Sequence, residues 1–290
     1  MPAFAKPRRT SDTLVFAPTY NERGNIGQLL DGLAAHAPTA DVLIVDDGST
    51  DGTAELLAER MGADPHLGVL ARPGKLGIGS AHKLAWLHAR RLGYSRIVTL
   101  DADLSHDPAD VPRLLTALDA GADVALGSRF APGGRIDYTG WRLFLSRTAN
   151  GLARLVLGTI VSEYTTSLRA ARLDRVAPGL VEGITNDGYG FFLACVVRFA
   201  RAGLTVVEVP IHFRDRQHGS SKIPRLEILR GAANLARLAV ARAPARPELS
   251  AIGDGAPCPD CGRPYRVPAG AGEMRCLACF GRGTNAAFEN

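Results

Sequence analysis

Two carboxylates, Asp101 and Asp103, close an apolar run (residues 97–100) within the stretch RIVTLDADLSHDP, residues 96–108. In extended backbone, residues i and i+2 point to the same side, so both acids can face a single divalent cation at a strand's end. Hard oxygen donors favour Mg2+ or Mn2+, ions that keep positions open for the phosphates of a substrate. The chemistry available to such a pair is activation of a nucleoside diphosphate as a leaving group. An Asp-x-Asp triplet taken alone is more often a solvated turn, so its surroundings must decide.

The surroundings alternate. Apolar runs at 14–17, 42–45, 67–71, 97–100 and 124–126 read as strands, and helical spacing fills 25–36, 54–61, 79–92 and 108–118. Strands alternating with helices across short connections imply a mostly parallel sheet covered by helices, an α/β class. Ligands of such sheets bind at the carboxyl ends of the strands. The polar clusters fall there, at 19–23, 46–53, 101–107 and 127–129, so four strand ends are expected to share one rim. The second half is more helical: amphipathic patterns at 141–157 and 224–243, a buried helix at 189–202, and a strand at 204–213. A basic loop, RDRQHGSSK, occupies 214–222, and residues 244–257 read as a linker.

The chain has 290 residues, 46% of them hydrophobic and only 6% aromatic, with a formal net charge of +5. Its pI is about 9.1 and its mean hydropathy is close to zero. The length suits one large domain plus an appendage. Basicity points to phosphates or anionic lipid. Without basic–aromatic interleaving, nucleic acid is not expected as a partner. Arginines interrupt the longest apolar stretches, so no spanning helix is expected. The basic residues at the N-terminus precede no apolar segment, and a cytoplasmic location follows as the expectation. Cys195, inside FFLACVV, reads as a packed core thiol. The other four cysteines form two CxxC pairs, Cys258/Cys261 and Cys276/Cys279, whose spacing reads as a closed, structural Zn2+ ribbon.

Seven segments stand in a telling order: PTYNERGNI (18–26), VDDGSTDGT (45–53), GKLGIGSA (74–81), LDADLSHDP (100–108), GSRFAPGG (127–134), WRLFLSRTAN (141–150) and EVPIHFRDRQHGSSK (208–222). Together they resemble the family 2 glycosyltransferases, and within them the dolichol-phosphate mannosyltransferase (polyprenol monophosphomannose synthase) group. The resemblance implies a GT-A, Rossmann-like domain over 12–225. Around it are expected a basic tail at 1–11, an amphipathic helix at 226–243, a linker at 244–257 and a zinc ribbon at 258–280. It implies transfer of mannose from GDP-mannose to a polyprenyl phosphate, with inversion and with Mg2+ or Mn2+.

Carried over by position, the resemblance assigns Pro18, Tyr20 and Glu22 to the nucleoside, and Val45 and Asp47 to base and ribose. The plainer reading of the first group is a strand-to-helix turn in which Asn21 caps the next helix. Asp46 reads as structural, bonding the backbone of the Gly48 turn. Asp101 and Asp103 would bind the metal, with Ala102 giving backbone contacts and Ser105 a further ligand. His106 would touch phosphate or sit as a solvated turn residue. Arg129, with Arg142 and Ser146 on one helical face, would meet the acceptor phosphate. Arg216 and Lys222 would close over the donor diphosphate.

A phosphate monoester is largely dianionic at neutral pH and needs no general base, unlike a sugar hydroxyl. Ala194 stands where members of the group usually carry an acid, which fits a phosphate acceptor. Further departures, Glu163 for aspartate, Ser167 for glycine and Leu168 for phenylalanine, fall in the segment EYTTSLR (163–169). Expected partners are therefore a nucleotide sugar, a polyprenyl phosphate, a membrane surface reached through the 224–243 helix and the basic N-terminus, and a protein met through the ribbon. Two alternatives stay open: a UDP-sugar donor of glucose type, and a transferase-like binding protein that has lost turnover.

Overall fold

The computed structural model describes residues 9–157, 161–188, 190–215, 256–257 and 264–265. Four parallel strands form one half of a seven-stranded sheet: β1 (Thr13–Thr19), β2 (Asp41–Asp46), β3 (Leu67–Ala71) and β4 (Arg96–Thr99). The other half comprises β5 (Val124–Ser128), β7 (Arg169–Arg172) and β8 (Val206–Pro210), in the overall order β3-β2-β1-β4-β7-β5-β8. β7 runs antiparallel to both of its neighbours, so β5 and β8 again point the same way as β4. A short parallel pair, β6 (Arg135–Ile136) with β9 (His212–Phe213), stands beside it.

Alternation along each strand builds two cores. Leu14, Phe16, Leu43 and Val45 face α3 (Ile78–Leu92), α6 (Gly190–Arg201) and the inner side of α5 (Trp141–Leu157). Val15, Ala17, Val42 and Ile44 face α1 (Arg23–His36), α2 (Thr53–Ala63) and α4 (Val111–Asp119). The result is a helix–sheet–helix sandwich. Chain order runs outward through β1, β2 and β3 and then returns to β4 on the other side of β1. That reversal opens a crevice at the carboxyl ends of β1 and β4.

Most sequence-derived elements fall within two residues of their expected bounds. Two differ. The strand expected at 204–213 breaks at the buried Ile211 into β8 and β9. The four residues of β7 carry arginine at each end and show no apolar run, so nothing local marks them as a central strand. Cys195 is buried, as its setting implied, and burial pushes its thiol up to about 11. Among the described residues no helix is long and apolar enough to cross a membrane. A two-residue antiparallel ladder, β10 (Ala256–Pro257) with β11 (Pro264–Tyr265), takes in the last two residues of the expected linker.

Candidate active site

The loops after β1 and β2 are tied to each other. Asn21 adopts φ 56°. Its Oδ1 accepts from the Thr50 N–H at 2.9 Å, and its own N–H donates to Ser49 Oγ at 2.8 Å. Asn21 therefore does not cap α1. The cap position belongs to Glu22, which makes no side-chain capping bond and accepts instead from Asn25 Nδ2 at 2.6 Å. Asp46 accepts from the Ser49 N–H at 3.0 Å, the structural part expected of it in the Gly48 turn. Gly48 itself has φ 73°, and a Cβ there would stand 3.2 Å from the Arg72 carbonyl oxygen, so the turn needs glycine.

Asp47, next in the chain, is gripped by Arg72 from the end of β3, with Nε to Oδ1 at 2.6 Å. Burial pushes the Asp47 carboxyl up, against the pull of Arg72. Arg72 also donates to Ser80 Oγ at 2.6 Å. Sequence reasoning passed over Arg72, although it follows a strand directly, as Asp47 does. The Lys75 ammonium lies 4.0 Å from the centre of the Tyr20 ring, placing a cation above that aromatic face. Val45 differs from expectation: the whole residue is buried in the sheet, between Pro18 of β1 and Leu70 of β3. Pro18, one register step away on β1, is half-buried.

At the end of β4, Asp101 is partly exposed and Asp103 is buried. Asp103 Oδ1 accepts from the Ser105 N–H at 3.0 Å. Leu104 is held at φ 61°, a conformation that leucine rarely adopts. Ala102 is buried beside them, and Ser105 Oγ is buried with no hydrogen-bond partner. An orphaned hydroxyl next to two carboxylates fits a divalent ion completed by substrate oxygens. Among the described residues no group of three or more His, Cys, Asp or Glu gathers that could hold an ion alone.

His106 is neither solvated nor offered outward: it is buried against Phe213, ring centres 5.2 Å apart. Its Nδ1 accepts from the Asp101 N–H at 3.3 Å. Burial lowers its pKa despite the nearby Asp101 and Asp103, so the ring is neutral. Arg214 N–H donates to the Ser105 carbonyl at 3.1 Å, bringing the strand end after β9 to this loop.

Across the crevice, Arg129 follows β5. Its Nε and Nη2 meet the fully buried Glu163 at 2.7 and 2.9 Å, Nη1 meets Tyr138 Oη at 2.9 Å, and Nη2 meets Thr165 Oγ1 at 3.0 Å. The guanidinium also lies 4.7 Å from the Phe213 ring centre. Arg129 was expected as a cation awaiting an acceptor. It is instead bound on its fork to a buried carboxylate, which cannot stay ionised without such a partner. Burial pushes Glu163 up, but Arg129 and Thr165 outweigh it and hold the carboxyl below its ordinary value. The segment carrying Glu163 is fixed in turn by Glu208 of β8, which accepts from Ser162 N–H and Oγ and from the Glu163 N–H at 2.7–3.0 Å. Glu163 stands at the acidic position of the EYTTSLR segment, but its pairing with Arg129 and the part played by Glu208 exist only once β5 and β8 lie side by side.

Tyr20, Glu22, Asp47, Asp101, Asp103, Ser105 and Arg129 thus share one rim. Ser146 is half-buried on α5, where its carbonyl accepts from Asn150 Nδ2 at 2.9 Å. Ala194 is buried on the core side of α6. The Arg142 side chain, Arg216, Lys222, Cys258, Cys261, Cys276, Cys279 and the 224–243 helix lie outside the described residues. A cavity of about 700 Å³ opens at the opposite rim, beside Arg96, Asp119 and Arg172, far from these groups. Its cations already have partners, Arg96 with Asp119 at 2.9 Å and Arg172 with Asp174 at 3.3 Å.

Residues 14–176 match the family described as glycosyl transferase family 2. Polyprenol monophosphomannose synthase of Mycolicibacterium smegmatis is 43% identical over 225 residues, 77% of this chain and 84% of that protein. Undecaprenyl-phosphate mannosyltransferase of Micrococcus luteus is 38% identical over 211 residues, 72% of this chain and 86% of that protein. Among solved structures, glucosyl-3-phosphoglycerate synthase from Mycobacterium tuberculosis, in complex with Mn2+, UDP-glucose and phosphoglyceric acid, superposes with a TM-score of 0.58. At 19% identity, covering 92% of this chain and 90% of that one, it shows a shared fold, the GT-A arrangement.

Proposed function

The chain belongs to glycosyl transferase family 2, and from that footing we propose that it transfers mannose from GDP-mannose to a polyprenyl phosphate, with inversion at the anomeric carbon. The two relatives named for mannose and polyprenyl or undecaprenyl substrates support the class of acceptor and sugar. The observation that carries the reading is the state of the carboxylates across from Asp101. Glu163 is locked to Arg129 and Glu208 to Ser162 and the Glu163 N–H, so neither is poised to deprotonate a hydroxyl. An acceptor that is already an anion needs no such base.

In this reading Tyr20, Glu22 and Asp47 hold the nucleoside, with Pro18 beside it and Val45 behind it in the sheet, and Arg72 keeps Asp47 in place. Asp101 and Asp103, with Ser105, would hold Mg2+ or Mn2+, and the backbone of Ala102 would contact the nucleotide sugar. Bound there, the ion supplies positive charge to the departing diphosphate. A neutral His106 under the loop adds no competing cation. Arg142 supplies the positive charge met by the acceptor phosphate, with Ser146 and with the Arg129 guanidinium, whose own charge is matched and whose angle is fixed by Glu163. Arg216 and Lys222 follow closely on Arg214, which is already tied to Ser105, and close over the diphosphate. The four tail cysteines bind one structural Zn2+ that serves a protein partner.

A donor–acceptor screen tests the proposal. Release of GDP from GDP-mannose should require both polyprenyl phosphate and Mg2+ or Mn2+. Release of UDP from UDP-glucose under the same conditions would replace the donor. Tight nucleotide binding without transfer from any sugar nucleotide would favour a binding protein.

A further inference from the structure

One side chain touches both walls of the crevice. Phe213, at the end of β9, stands edge to face with His106 of the 101–107 loop, ring centres 5.2 Å apart. The Arg129 guanidinium lies 4.7 Å from the same ring centre, and Tyr138, which accepts from Arg129, meets that ring edge to face at 5.8 Å. The backbone repeats the bridge. Ile211 N–H donates to the Ser128 carbonyl and Asp137 N–H to the Phe213 carbonyl, each at 3.1 Å, which fixes β9 to the strand end carrying Arg129. On the other side Arg214 N–H reaches the Ser105 carbonyl, and Arg214 Nη2 pairs with Asp107 Oδ2 at 2.7 Å. The second Asp107 oxygen accepts from the Ala109 N–H at 3.0 Å and caps the turn Pro108–Asp110.

His106 carries the link to the carboxylates. Its Nδ1 accepts from the Asp101 N–H, which leaves the ring proton on Nε2. That nitrogen is buried with no hydrogen-bond partner among the described residues, and the imidazole packs against Phe213. A shift of Phe213 therefore shifts the imidazole and the Asp101 backbone that it supports.

We infer that Phe213 and Arg214 are positioning residues, which hold the Asp101–Asp103 loop at a fixed distance from Arg129. The inference deepens the transferase reading and rests on it. Displacement in line needs the departing diphosphate and the entering phosphate aligned on opposite sides of the anomeric carbon. Phe213 acts through His106 and Arg129, and Arg214 acts through Asp107. The Arg214 and Asp107 side chains are 47% and 25% exposed, and a pair so exposed adds little to stability. Its loss is expected to be felt in the site and not in the fold.

Mn2+ binding to the full chain with GDP present, followed by the EPR signal of free Mn2+, tests this apart from turnover. Asp103→Asn should abolish the binding and so identify the site. Phe213→Leu and Arg214→Ala are each expected to weaken Mn2+ about tenfold, with the thermal midpoint of Arg214→Ala unchanged. Phe213→Leu should also raise KM for the acceptor, while GDP binding in EDTA stays as in wild type. Arg214→Lys should recover most of the loss. Asp107→Asn keeps a capping side chain, and Asp107→Asn/Arg214→Ala should weaken Mn2+ no more than either change alone. The direction of the Arg214→Ala effect separates positioning from charge. Removing a cation near a bound metal would by charge alone tighten Mn2+, so tighter or unchanged binding overturns the inference. A lowered thermal midpoint in Phe213→Leu, with Mn2+ affinity and acceptor KM as in wild type, overturns it as well. Wild type that binds no Mn2+ removes the metal loop and the inference together. Wild type that binds Mn2+ with GDP but transfers no mannose sinks the transferase reading, and the variants still decide whether the loop is held.

Discussion

Glu163 and Arg129 show what a buried charge demands of its neighbours. Two parallel bonds keep both ionised, and removing one partner strands the other. Glu163→Gln is therefore expected to destabilise the fold by about 3–5 kcal/mol in urea denaturation, whereas Arg129→Met/Glu163→Met recovers most of that loss. The dependence on pH has a fixed sign. The folded carboxyl sits below the ordinary 4.5, so between the two values the unfolded chain binds the extra proton. The pair's contribution is full above pH 4.5 and disappears as pH falls through the folded value. Urea midpoints of wild type and Glu163→Gln should converge on acidification; a gap that stays constant would deny the ionised pair. On the other wall, Asp101→Asn and Asp103→Asn should each cut transfer about a hundredfold or more. Asp101, partly exposed, should do so without altering the thermal midpoint.

Loops at the strand ends place these groups, and their backbones leave little room. A Cβ on Gly134 would stand 2.6 Å from the Arg129 carbonyl oxygen and 2.8 Å from that of Ser128, both of them backbone atoms. Gly134→Ala should push the Arg129 segment away from Glu163, destabilising by about 1–3 kcal/mol and raising KM for the acceptor more than for the donor. Steady-state kinetics with each substrate varied in turn would check it; equal effects on both would place the strain elsewhere. The strand–helix alternation of the first half was readable from periodicity because both cores repeat it, residue by residue, along β1 and β2. β7 was not readable: RAAR has no apolar run, and it becomes a strand only because β4 and β5 leave an unpaired slot between them.

At the scale of the molecule, two metals with separate duties are expected. Dialysis against EDTA should abolish transfer, and Mg2+ or Mn2+ alone should restore it. Elemental analysis should find about one zinc per chain in the untreated protein, bound by the four thiolates. Zinc absent from freshly purified protein would remove the ribbon and leave the transferase reading intact.

Residue type and spacing alone determined the α/β class, the rim of polar strand ends, the Asp101–Asp103 pair and the structural Asp46, because each depends on neighbours in sequence. Tertiary structure alone decided that Arg129 is bound by Glu163, that Arg72 grips Asp47, that His106 is buried and neutral, and that α5 turns an apolar face outward. Those facts rest on residues 25 or more positions apart or on which side of a helix the core occupies, and no local pattern carries that information.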